Sequence, residues 1–113
     1  MFDIQRFVTI SGTSGADYLE DTGANFSIFG LAGNDTIVST GANATLDGGA
    51  DNDIIRSTGA NAIILGGLGN DSIVSSGANA TITGGAGNDT ISVSGKNSVV
   101  QYSVNSGNDV ITG

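Results

Sequence analysis

Asparagine recurs at positions 25, 34, 43, 52, 61, 70, 79, 88 and 97, a nine-residue period kept without a slip. Three residues after each asparagine sits an aliphatic side chain: Ile28, Ile37, Leu46, Ile55, Ile64, Ile73, Ile82, Ile91 and Val100. The same ladder runs back to Leu19 and Ile10. A nine-residue period fits neither the 3.6-residue helix nor the heptad. It fits a chain that runs a short strand, turns, runs another and turns again. Adjacent nonapeptides differ, so the true unit is 18 residues. One half reads Gly-Gly-x-Gly-Asn-Asp-x-Ile-x, as in residues 66–74, and the other reads Ser/Thr-Ser/Thr-Gly-Ala-Asn-Ala-x-Ile-x, as in 75–83. The glycines supply the positive φ angles of tight loops. Strand portions such as Asp71-Ser72-Ile73-Val74 are rich in β-branched residues. The expected fold is all-β, a solenoid of stacked 18-residue coils.

Side chains alternate along a strand, so if the ladder residue points inward, the residue two before it does too. In one half of the unit that residue is Asp17, Asp35, Asp53, Asp71 or Asp89; in the other it is Phe26, Ala44, Ala62, Ala80 or Ser98. Successive coils lie about 4.8 Å apart. Two carboxylates at that spacing repel by about 3–4 kcal/mol at an effective dielectric near 20. A row of them cannot stay charged and half-buried without cations between. The pattern demands a metal.

The composition narrows which metal. Histidine and cysteine are both absent, so imidazole and thiolate ligands are excluded and only a hard cation held by oxygen remains. The same absences remove the commonest general base and the cysteine nucleophile, so no enzyme is expected. Eleven acids against three bases, Arg6, Arg56 and Lys96, give a net charge of −8. That balance excludes nucleic acid and an anionic membrane surface as partners. No apolar run is long enough to insert in a membrane, and Met1 to Phe7 lack the apolar core of a signal peptide.

The loops Gly48-Gly49-Ala50-Asp51-Asn52-Asp53, Gly66 to Asp71 and Gly84-Gly85-Ala86-Gly87-Asn88-Asp89 resemble the repeats-in-toxin family, whose nonapeptide is Gly-Gly-x-Gly-x-Asp-x-aliphatic-x. The period covers residues 12–113, and the motif is strongest from 30 to 92. The resemblance implies a right-handed parallel β-roll with several Ca2+ ions, each taken between successive loops by Asp carboxylates and backbone carbonyls. Carried onto this chain, the ligands are Asp35, Asp53, Asp71 and Asp89, with carbonyls from the glycine-rich residues before them, Gly30, Gly48, Gly66 and Gly84. Asp17 and Asp109 belong to weaker copies, the second of them twenty residues after Asp89. Two departures stand out. Alternate repeats carry Ala where the family commonly carries Asp, so calcium is expected on one edge only, with Asn25, Asn43, Asn61, Asn79 and Asn97 as a hydrogen-bonded ladder on the other. Asp51 also replaces a motif glycine.

Residues 1–11 are expected to form a terminal cap or assembly segment and 12–113 the repeats. The aromatics Phe2, Phe7, Tyr18, Phe26 and Phe29 crowd one end and Tyr102 lies near the other, which suits either capping of the open coils or head-to-tail contact with a second copy. Glu20 and Asp21 read as solvated residues beside a turn rather than a catalytic pair. The expected function is that of a structural solenoid that folds on calcium, outside the cell or on its surface, where calcium is abundant, with head-to-tail assembly into filaments open as one of the two readings of its ends. The alternative is a calcium-stabilised module that binds a surface, glycan or ice.

Overall fold

The computed structural model describes residues 8–101 and 107–113. Among these residues there is no helix. The strands run β1 (Val8–Ser11), β2 (Tyr18–Asp21), β3 (Phe26–Phe29), β4 (Thr36–Ser39), β5 (Thr45–Asp47) and β6 (Ile54–Ser57). They continue as β7 (Ile63–Gly67), β8 (Ser72–Ser75), β9 (Thr81–Gly85), β10 (Thr90–Val93), β11 (Val99–Gln101) and β12 (Val110–Thr112). Odd strands form one six-stranded sheet and even strands the other, each in chain order. Every pairing is parallel. The fold is a parallel β-solenoid, and each coil contributes one strand to each sheet.

Register follows from the apolar ladder. Ile28 pairs with Leu46, Leu46 with Ile64 and Ile64 with Ile82 in the odd sheet, while Ile37, Ile55, Ile73 and Ile91 align in the even sheet. All eight are buried, and together with Ala44, Ala62 and Ala80 they form one core cluster. Slipping any strand by one residue would turn its ladder side chain outward, so burial locks the register. The core is a double row, one row from each sheet. Ile10, Leu19 and Val100 flank it, partly buried.

The last coil departs from the 18-residue count. Ile91 pairs with Ile111, twenty residues on. Beyond residues 102–106, which lie outside the described residues, the strands are again in register. At the other end, β1 pairs with β3 as an ordinary strand, so residues 8–11 of the expected terminal segment lie within the odd sheet. Tyr18 is 64% exposed. Phe2, Phe7 and Tyr102 lie outside the described residues.

Backbone conformation separates the two turns. Asn25, Asn43, Asn61, Asn79 and Asn97 all sit at φ near +60° (60° to 66°), which asparagine tolerates better than most residues. On the other edge Gly49, Gly67 and Gly85 lie at φ 92° to 97°. A Cβ at Gly67 would strike the Gly49 carbonyl, so no space is left there for a side chain. Leu31 holds the equivalent place in an earlier loop at φ 73°.

The register makes a direct prediction. Ile64→Ala should lower stability by about 3 kcal/mol in urea unfolding of the calcium-saturated protein. Ile63→Ala, one residue away but half exposed, should cost less than about 1 kcal/mol. Equal costs would mean the wrong face has been assigned to the interior.

Candidate metal centre

The aspartates enter the interior where the glycine-rich loop meets the even sheet. Asp35, Asp53, Asp71 and Asp89 each lie just before β4, β6, β8 and β10 and are 1% exposed. One oxygen of each carboxylate is accounted for within the protein. Asp17 N–H donates to Asp35 Oδ1, Asp35 to Asp53, Asp53 to Asp71 and Asp71 to Asp89, at 2.8 to 2.9 Å. Asp89 N–H completes the ladder on Asp109 Oδ1 at 2.8 Å, across the longer coil. The sequence-derived aspartates therefore stand in one row, with Asp109 in it despite its offset.

The other oxygen of each is not accounted for. Oδ2 of Asp35, Asp53, Asp71 and Asp89 is buried and has no hydrogen-bond partner. Its position is held open by glycine. A Cβ added at Gly30 would meet Asp35 Oδ2 and the Gly48 carbonyl oxygen, each at 2.6 Å. At Gly48 it would meet Asp53 Oδ2 and the Gly66 oxygen at 2.5 and 2.8 Å, and at Gly66 it would meet Asp71 Oδ2 and the Gly84 oxygen at 2.6 and 2.5 Å. At Gly84 it would meet Asp89 Oδ2 at 2.5 Å. A carboxylate and a carbonyl from successive coils thus converge over one α-carbon, with no proton donor on the carboxylate oxygen. Buried oxygens left this way are costly unless a cation satisfies them. The donor set is all oxygen, which suits a hard divalent ion. Among the described residues no three acidic side chains gather around one point, so backbone oxygens would have to share the coordination.

Burial sets the electrostatics. It raises the carboxyl of Asp71 to about 8, with Asp53 and Asp89 adding repulsion and the Asp53 N–H opposing both. Asp53 is pushed up to about 6, again chiefly by burial, with Asp35, Asp51 and Asp47 adding to the rise. Asp35 and Asp89 are raised for the same main reason.

Asp17 shares this cradle, since a Cβ at Gly12 would meet its Oδ2 at 2.6 Å and the Gly30 oxygen at 2.7 Å, but its oxygens are not left unpartnered. Its carboxylate folds back on Thr13, accepting from the backbone N–H at 2.6 Å and from Oγ1 at 3.0 and 3.1 Å. Asp51, at φ 75°, accepts the Gly33 N–H at 2.9 Å, so the acid that replaces glycine ties two loops together.

Two features escaped the sequence reading. A second ladder stands beside the aspartates: the N–H of Asn52, Asn70, Asn88 and Asn108 donates to the Oδ1 of Asn34, Asn52, Asn70 and Asn88, at 2.7 to 2.9 Å. Its signal was the Asn-Asp pair itself, which had served only to mark the period. On the opposite edge, the expected ladder is present in part, as 3.2 Å amide bonds from Asn43 to Asn25 and from Asn61 to Asn43, and does not extend as amide bonds to Asn79 and Asn97 among the described residues. There the N–H groups of Asn25, Asn43, Asn61 and Asn79 also bond the next coil's backbone. Asp21, expected to be solvated, is instead 5% exposed. It occupies the inward position two residues past Leu19, and burial raises its carboxyl. Ser39 approaches closely enough to favour its ionised form without reaching hydrogen-bond geometry.

Among the described residues no helix is long and apolar enough to cross a membrane. Compared with protein-family models, the chain matches the RTX calcium-binding nonapeptide repeat in four copies, at residues 11–43, 29–61, 38–73 and 57–91. Neither the curated proteins nor the solved structures contain a match.

The raised carboxyls make the metal-free fold acid-favoured. Folded-state values above the unfolded ones stabilise the fold fully below the unfolded value of 3.8, and that contribution is lost as pH rises through about 6 for Asp53 and about 8 for Asp71. In chelator, the β-signal in circular dichroism should therefore fall steadily from pH 5 to pH 8. A signal that rises over that range would contradict the burial of these carboxylates.

Proposed function

Because the chain belongs to the RTX calcium-binding nonapeptide repeat family, we propose that its aspartate edge is a calcium-driven folding device, with ions held between successive Gly/Asp loops. The single observation that carries this is the repeated pairing of an orphaned, buried Asp Oδ2 with a glycine carbonyl of the next coil. Asp35, Asp53, Asp71 and Asp89 supply the carboxylates, and Gly30, Gly48, Gly66 and Gly84 stand at the loop position whose carbonyls join them. Asp17 and Asp109 serve the end sites. Bound calcium neutralises the row and adds binding energy to folding. The alanine edge lacks carboxylates at the equivalent positions and holds no ions.

The role is structural rather than catalytic: the chain has no histidine or cysteine, and Asp17, Asp35, Asp53, Asp71, Asp89 and Asp109 are committed to the ladder. Sites of this kind fill where calcium is plentiful, which places the protein outside the cell or at its surface. Self-association is the finer proposal. The exposed Val110 and Ile111 of β12 and the strand edges at either end offer a surface on which a second copy can pair head to tail. The fold-back of Asp17 on Thr13 favours capping at the other end, so sedimentation at rising concentration in calcium decides between filament and monomer. A monomer retained on a glycan or ice surface would support the binding-module alternative.

Asp71→Asn tests the site with opposite signs in two conditions. The amide keeps Oδ1 to accept from Asp53 N–H but removes the charge. In chelator at pH 8 the variant should be more stable than the parent, by about 1–3 kcal/mol. In saturating calcium it should be less stable, and calorimetric titration should show weakened binding at the sites that Asp71 shares. Unchanged calcium affinity would remove Asp71 from the ligand set. Circular dichroism during calcium titration of the chelated parent should show a cooperative gain of β-structure.

A further inference from the structure

We propose that the asparagine edge encloses a file of bound water molecules, strung between the buried hydroxyls of Ser39, Ser57 and Ser75, with Ser39 standing directly against the carboxylate of Asp21. These four residues occupy one interior position in successive coils: Asp21 pairs with Ser39, Ser39 with Ser57 and Ser57 with Ser75. They are 0 to 5% exposed, and none of their side-chain oxygens has a hydrogen-bond partner.

The hydroxyls cannot satisfy one another. Equivalent atoms in neighbouring coils are about 4.8 Å apart, beyond any direct hydrogen bond. That gap suits one bridging water, because two bonds of about 2.8 Å meeting at a tetrahedral oxygen span about 4.6 Å. Water at such a site needs two or more polar partners, and two successive serines provide them. A further donor stands on the facing wall. Ala80 N–H bonds Ser98 Oγ at 3.1 Å, but Ala44 and Ala62 have an alanine in that place in the next coil, so no side-chain acceptor meets their N–H groups.

The small methyl groups of Ala44, Ala62 and Ala80 leave this edge narrower in side chains than the isoleucine centre. Sterics do not demand serine. The next coil holds Val93 at the same position, paired with Ser75, and there the file ends against methyl groups. An apolar side chain is therefore compatible with the backbone, and three consecutive serines mark a polar occupant. The reading is independent of calcium, since it concerns the edge that lacks the aspartate row.

The experiment is a crystal structure at a resolution that shows ordered water, joined to a count of long-lived internal waters by magnetic relaxation dispersion. The parent should show one water between Ser39 and Ser57 and another between Ser57 and Ser75, each within hydrogen-bond distance of both hydroxyls. Ser57→Ala should remove both, and Ser75→Ala only one. Hydroxyls bonded to main-chain oxygens with no density between them would overturn the proposal, as would an unchanged water count in Ser57→Ala. If Ser57→Ala does not fold, Ser75→Ala and the parent's own density decide the matter.

Discussion

A carboxylate stacked on its own copy every coil is the constraint around which the molecule is arranged. Each aspartate uses one oxygen to accept the preceding coil's N–H, which holds the row in line and in register. The arrangement leaves the second oxygen buried and facing a carbonyl, an environment that repels electrons from both sides. The glycine beneath is required because a methyl group would fill the place where the two oxygens meet. The loop, the strand entry and the need for a cation thus share one cause. The inward isoleucines supply what little apolar burial a two-sheet solenoid of this width can have.

The two edges solve the same stacking problem with different chemistry. On the aspartate edge, the aspartate side chains reach toward the preceding coil and the neighbouring asparagines reach toward the following one. From the coil of Asp35 onward the described junctions there are bonded in both directions, whereas Ala16 offers the first junction no side-chain acceptor. On the asparagine edge the backbone takes the left-handed conformation at one residue per turn, and the main chain makes the bond between coils. Only the first edge carries a row of buried carboxylates with unpartnered oxygens. The second is joined through the main chain and involves no aspartate row.

Much of this was legible because a solenoid repeats its geometry wherever it repeats its residues. The nine-residue period located the inward ladder, and strand alternation then carried Asp35, Asp53, Asp71 and Asp89 into the interior. What escaped had no charge or apolar signal of its own. Asn34, Asn52, Asn70 and Asn88 look like turn residues, and their bonds to the next backbone appear only once coils are stacked. Asp21 looked like a surface acid because Glu20 stands beside it. Alternation from Leu19 in fact turns Glu20 outward and Asp21 inward. Ser39, Ser57 and Ser75 were legible by the same rule, two residues past the ladder, but serine gives no reason to apply it.

The long coil before Asp109 shows how forgiving this design is. Twenty residues separate Ile91 from Ile111, yet Asn108 and Asp109 rejoin both ladders. Alignment is therefore restored by pairing with the coil before, and does not depend on counting residues along the chain. Such a backbone can acquire extra segments between strands without renegotiating the rest of its structure. For an evolving or engineered chain, each turn becomes a place where a recognition loop can be hung from a scaffold already specified.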